Sequence, residues 1–179
     1  LDLVKERSVL VLFPAASGAS GIRNPEFSNL FFLRASGITE GYVLAKYVVE
    51  NLKAKKLAFF YENDTFGKDT LNGALLGLKE LGIKDWVEVP FEPQDLNITR
   101  QVEKLRKANI DALGCFCMQA VAKELFLQLG TQWLINKKLF GSMDLSILPF
   151  RKYCERNRLH FVSTSVVPNP DLSDIEIVR

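Results

Sequence analysis

After residue 30, short apolar runs alternate with helical stripes, and that alternation leaves few folds open. Residues 30–34 read as a short apolar strand, and Leu44, Tyr47, Val48 and Leu52 then stripe one side of a helix. Residues 57–61 (LAFFY) form a continuous apolar run, the mark of a central strand covered on both faces. Leu71, Ala74, Leu75, Leu78 and Leu81 return at helical spacing, and Gly82 ends that helix as a C-terminal glycine does. Residues 86–91 alternate apolar with polar, and Pro90 and Pro93 place them at a sheet edge. Asn97 can cap a helix carrying Ile98, Val102 and Leu105 on its inner side. A buried strand at 112–117 and a helix marked by Val121, Leu125 and Leu129 follow, closed by Gly130. Residues 139–141 and 158–162 read as two last strands around a helix near 145–153. Strands separated by helices require right-handed crossovers. The expected class is therefore α/β, a three-layer, doubly wound, mainly parallel sheet.

Two segments lie outside that series. Residues 9–13 are apolar but stand apart, behind a polar, glycine-containing loop at 17–28. The tail 166–179 (VVPNPDLSDIEIVR) carries two prolines and then acidic residues. Both read as connections leaving the domain.

The totals narrow the partners. With 179 residues the chain is long enough for one domain with a real core, and 47% hydrophobic with 25% charged residues is a globular composition. A net charge of +2 makes neither nucleic acid nor anionic lipid an obvious partner. Lys53, Lys55 and Lys56, near Glu50 and Glu62, read as a solvated mixed face. No stretch reaches the ~18–20 apolar residues of a membrane helix. No signal-peptide pattern opens the chain; LDLVKERSVL starts mid-pattern, as a mature form or a cut fragment would. Cys115, Cys117 and Cys154 form no metal-like cluster, and Cys115 and Cys117, two apart on a strand, share a face and cannot easily bridge. They read as buried thiols, which permits an oxidising compartment without indicating one.

In an open parallel sheet, ligands bind beyond the carboxyl ends of the strands. Residues 14–21 (PAASGASG) are small and rich in free N–H groups and hydroxyls, able to hold a carboxylate or simply to turn. They lack the spacings of a nucleotide phosphate loop. In 63–67 (NDTFG), Asp64 or Thr65 can cap a helix, and Phe66 either walls a cleft or packs on a neighbour. Met118 and Gln119 could line a pocket or begin a solvated helix. Asp144 could meet a cationic amine or cap a helix. His160, the only histidine, sits in the apolar pattern RLHFV and reads as a satisfied structural residue. No nucleophile is assembled with a base, so no enzyme, metal or cofactor is expected.

Four pieces in this order, LFPAASGAS at 12–20, FLRAS at 32–36 with Glu40, KLAFFYENDTFGKD at 56–69 and NIDAL at 109–113, carry a resemblance. From about residue 8 to residue 170 the chain is similar to periplasmic solute-binding proteins of the branched-chain amino-acid ABC transporter type. That resemblance implies two α/β lobes joined by three crossing strands, closing on ligand by hinge motion. Residues 1–37 would end the first lobe and make the first crossing, 38–162 would form the second, Rossmann-like lobe, and 163–179 would make the second crossing and begin the return. About half of such a protein would lie outside this chain. Ala15 and Ser17 match the positions that hold an amino acid's α-groups. Phe66 matches the aromatic of the turn, without a tyrosine hydroxyl. Met143 takes the position of the expected acidic residue, with Asp144 one place later.

The function implied is extracytoplasmic, periplasmic binding of a small solute, an amino acid or small organic acid, for delivery to an ABC permease. Ala15, Ser17, Phe66, Met118, Gln119 and Asp144 are the candidate ligand residues. A sensor domain with the same fold, and a flavodoxin-like enzyme or regulatory domain, are the alternatives. A lone lobe would expose cleft and crossing surface that could drive self-association.

Overall fold

The apolar run beginning at Leu57 lies inside a parallel sheet. The computed structural model describes residues 2–6, 8–12, 18–95 and 97–166. In chain order it holds helix α1 (Asp2–Lys5), strands β1 (Val11–Leu12) and β2 (Leu30–Phe31), α2 (Gly37–Glu50), β3 (Leu57–Glu62), α3 (Thr65–Glu80) and β4 (Trp86–Phe91). Then come α4 (Thr99–Lys107), β5 (Ala112–Phe116), α5 (Gln119–Leu129), α6 (Thr131–Leu134), β6 (Lys138–Gly141), α7 (Leu148–Arg156) and β7 (Phe161–Ser163). The main sheet has the order β4-β3-β5-β6-β7 with every pairing parallel. β4, the strand with Pro90, pairs only with β3 and forms an edge. β1 and β2 pair with each other, also in parallel, as a separate ribbon.

The pleat of β3 divides the core. Leu57, Phe59 and Tyr61 face α2 and α3, while Ala58 and Phe60 face the layer of α4, α5 and α7. Phe59, Phe116 and Phe140 meet on the first face with centroids 5.6–6.2 Å apart. On the second, Phe60 stacks on Phe91 at 4.7 Å, and Phe126, Phe150 and Phe161 form a further group. Each such side chain contributes roughly 1.5–3 kcal/mol by leaving water. Gly114 makes the room, because a Cβ there would lie 2.7 Å from the Phe140 ring and 2.9 Å from that of Phe59.

The α2–α3 contact differs from the stripe read in the sequence. Tyr47 is exposed, and the inner face is made instead by Gly37, Gly41, Leu44, Ala45 and Val48. Small residues four apart let the backbones touch. A Cβ on Gly41 would sit 1.8 Å from the Thr70 carbonyl oxygen, and one on Gly73 1.9 Å from that of Ile38.

Other departures are local. The last strand starts at Phe161, later than expected, because Arg158 takes a left-handed turn (φ 54°) after α7. His160 therefore precedes the strand and is exposed, which corrects its reading as a satisfied structural residue. Asn97 sits one residue outside the cap of α4, where its side chain accepts from Thr99 N at 3.2 Å. The three thiols are buried and unbridged; burial pushes all of them up, Cys154 to about 11.

Gly41→Ala is expected to lower stability by about 1–3 kcal/mol or more, the range for overpacking a close contact, while Tyr47→Ala stays near neutral. Thermal denaturation of both variants checks this; equal losses would contradict the backbone-contact account.

Candidate functional site

All five strands point the same way, so the turns after β3, β5 and β6 open on one edge. After β3, Asp64 caps α3 by accepting Gly67 N–H at 2.9 Å. A Cβ at Gly67 would fall 2.1 Å from the Glu62 carbonyl oxygen, so the first turn of α3 rests on the strand end. Phe66 is carried between them, half-buried. After β5, Met118 caps α5 and stays exposed. After β6, buried Ser142 donates from Oγ to Asp144 Oδ2 at 3.4 Å, and Asp144 caps no helix.

These turns border one cleft of about 340 Å³. Phe66, Met118 and Asp144 line it, together with Asp64 and Thr65, and Gly18, Ala19, Arg34 and Gly37 close the other side. The volume suits a small solute. Gln119 lies outside the lining, exposed at the start of α5. Ala15 and Ser17 lie outside the described residues. The same loop reaches the cleft at Gly18 and Ala19 and is held there twice. Gly37 N donates to Gly18 O at 2.8 Å, and Ser20 donates from N (2.7 Å) and Oγ (2.9 Å) to the buried carboxylate of Asp69 on α3.

Arg34 supplies the cation of the cleft. Its Nη2 lies 3.6 Å from Glu40 Oε2, and its carbonyl accepts from Arg23, whose guanidinium stands over the Phe32 ring at 4.2 Å. Asp64 and Asp144 line the same cleft. Glu62, at the end of β3, has its pKa raised, first by burial and then by Asp64 and Asp144. The cleft thus offers a guanidinium, two carboxylates and an apolar wall. Asp69, Arg34 and Glu40 were not among the sequence candidates. They stand inside the resembling pieces, yet little nearby marks these acids for burial when their hydrogen-bond donors are 49 to 124 residues away. Among the described residues no cluster of His, Cys, Asp or Glu is arranged to hold a metal ion, and no helix is long and apolar enough to cross a membrane.

This arrangement, a parallel sheet whose carboxyl edge opens on a solute-sized cleft, is that of one lobe of a type I periplasmic binding fold. Residues 1–133 match the family described as periplasmic binding protein, and the chain belongs to that family. Over 112 residues it is 25% identical to Leu/Ile/Val-binding protein homolog 3 of Brucella melitensis, a match covering 63% of this chain and 30% of that protein. The fold matches the leucine-binding protein LivK of Thermotoga maritima with a TM-score of 0.83 at 15% identity, over 98% of this chain and 49% of that one. It also matches an ABC-transporter solute-binding protein of R. palustris in complex with benzoate, with a TM-score of 0.66 at 15% identity, over 80% of this chain and 39% of that one. The chain spans 49% of the Thermotoga protein and 39% of the R. palustris protein, and its match spans less than a third of the Brucella protein.

Because the folded-state pKa of Glu62 is raised, its ionisation opposes folding. That penalty is absent below the unfolded pKa and complete above the folded one. Glu62→Gln is expected to raise the melting temperature near neutral pH, with the gain vanishing below about pH 4. Melting curves across that range check it; a gain independent of pH would contradict the charge account.

Proposed function

We propose that this chain is the second lobe, with adjoining crossings, of an extracytoplasmic solute-binding protein that delivers a small carboxylate-bearing molecule to an ABC permease. The observation that carries the reading is the convergence of Phe66, Met118 and Asp144 on one cleft at the carboxyl edge of the sheet. Residues 38–162 form the lobe in this reading, 1–37 the end of the first lobe with the first crossing, and 163–179 the second crossing. The loop carrying Ala15 and Ser17 holds the solute carboxylate through N–H groups and a hydroxyl. Phe66 and Met118 cover its apolar part, and Asp144 meets an ammonium group where the solute has one. No covalent step is needed, and binding alone accounts for the residues present.

The solute class follows from the walls. Phe66 lacks a hydroxyl, so the apolar side can admit an aliphatic or an aromatic group. The solutes for which the relatives are named, leucine, isoleucine and valine on one hand and benzoate on the other, support the same range. One lobe supplies part of a cleft's walls, so affinity depends on the partner lobe closing over the solute.

Titration calorimetry of the complete two-lobed protein against leucine, valine, phenylalanine and benzoate tests the reading. Binding of one class is expected, with Phe66→Ala weakening it about tenfold or more, as for truncation of an aromatic anchor. Asp144→Asn is expected to weaken an amino acid and leave benzoate unchanged. No heat from any of the four solutes, or binding indifferent to Phe66, would overturn it.

A further inference from the structure

One carboxylate ties together three segments remote from one another in sequence. Glu40, in the first turn of α2, is 6% exposed. Its Oε2 faces Arg34 Nη2 at 3.6 Å, in the segment between β2 and α2. Its Oε1 accepts from Met143 N at 2.6 Å, in the turn that carries Asp144, and from the hydroxyl of Thr164, just after β7. A buried carboxylate is stable only with such donors, and each charge-assisted bond is about twice as strong as a neutral one. Arg34 also stands between two hollows. It lines the solute cleft on one side and, with Leu33, Val43 and Val166, a second cavity of about 220 Å³ on the other.

We infer that Glu40 is a positioning residue whose two oxygens divide the work: Oε2 holds the segment entering the lobe through Arg34, and Oε1 holds the segment leaving it together with the Asp144 turn. Its role in solute binding rests on the reading above, in which those segments are inter-lobe crossings. Motion at these two crossings then works against bonds to a single side chain, and the Asp144 turn is coupled to it. Glu40 touches no solute in this scheme. Simple core packing would not assign different segments to different oxygens.

Glutamine separates the two halves, because its carbonyl still accepts from Met143 and Thr164 while its amide loses the ion pair with Arg34. Deuterium exchange of this chain, followed by mass spectrometry, reads each segment without any solute. Glu40→Gln is expected to raise exchange at residues 32–36 about tenfold and to leave 161–166 nearly unchanged, because local opening follows the bonds lost. Thr164→Val should do the reverse. Glu40→Ala should release both segments while β3 stays protected. Equal release of both by Glu40→Gln, no release by Thr164→Val, or a rise spread evenly through β3 would overturn the assignment. A wrong solute class would show itself separately, as absent heat in titrations of the unsubstituted complete protein.

Discussion

Strand direction is the constraint on which the rest depends. Because β3 through β7 all run parallel, each strand must be followed by a helix that returns to the same starting edge. Every turn after a strand then falls on the opposite edge. The turn at Asp64–Phe66, the turn at Met118 and the turn at Ser142–Asp144 lie far apart in sequence, yet the sheet brings them to one cleft. No special contact among them is required. The cleft is a product of topology, and its chemistry is set by whichever side chains the turns carry.

Topology does not by itself hold the flanking segments in place. That is done by two buried acids, each accepting donors from a distant part of the chain. Asp69 takes the N–H and hydroxyl of Ser20, and Glu40 takes Met143 N–H and the Thr164 hydroxyl beside the Arg34 guanidinium. Both acids stand on the α2–α3 layer, where small residues allow backbone contact and leave little slack. A rigid helical layer under the cleft and a few charge-assisted bonds to the segments around it are what the proposed solute-binding function, with one body closing against another, would call for.

The sheet was legible because burial on both faces leaves a plain trace. LAFFY needs no partner to be read as a central strand, and Pro90 marks an edge because it cannot donate to a ladder. Phe66, Met118 and Asp144 were legible as candidates from their places after strands, a positional rule. Gln119 followed the same rule and falls outside the cleft, since one residue along a helix start turns the side chain away. Tyr47 misled because apolar spacing cannot tell a bulky neighbour from a backbone contact; Gly41 and Gly73 carried that information, and glycine reads equally as flexibility. The burial of Glu40 and Asp69 was silent for a related reason. An acid alone in a sequence looks solvated, and only the fold brings its donors.

The central claim is that a small solute sits at the carboxyl edge of this sheet, against the turns after β3, β5 and β6. The chain's two methionines mark the alternatives, since Met118 lines the cleft and Met143 the second cavity behind Arg34. Methyl-labelled methionine can be followed by NMR in the complete protein as leucine or benzoate is added. The account predicts a saturable shift of the Met118 methyl at the concentrations where binding heat is released. Binding heat with Met118 unmoved, or with Met143 alone responding, would contradict it.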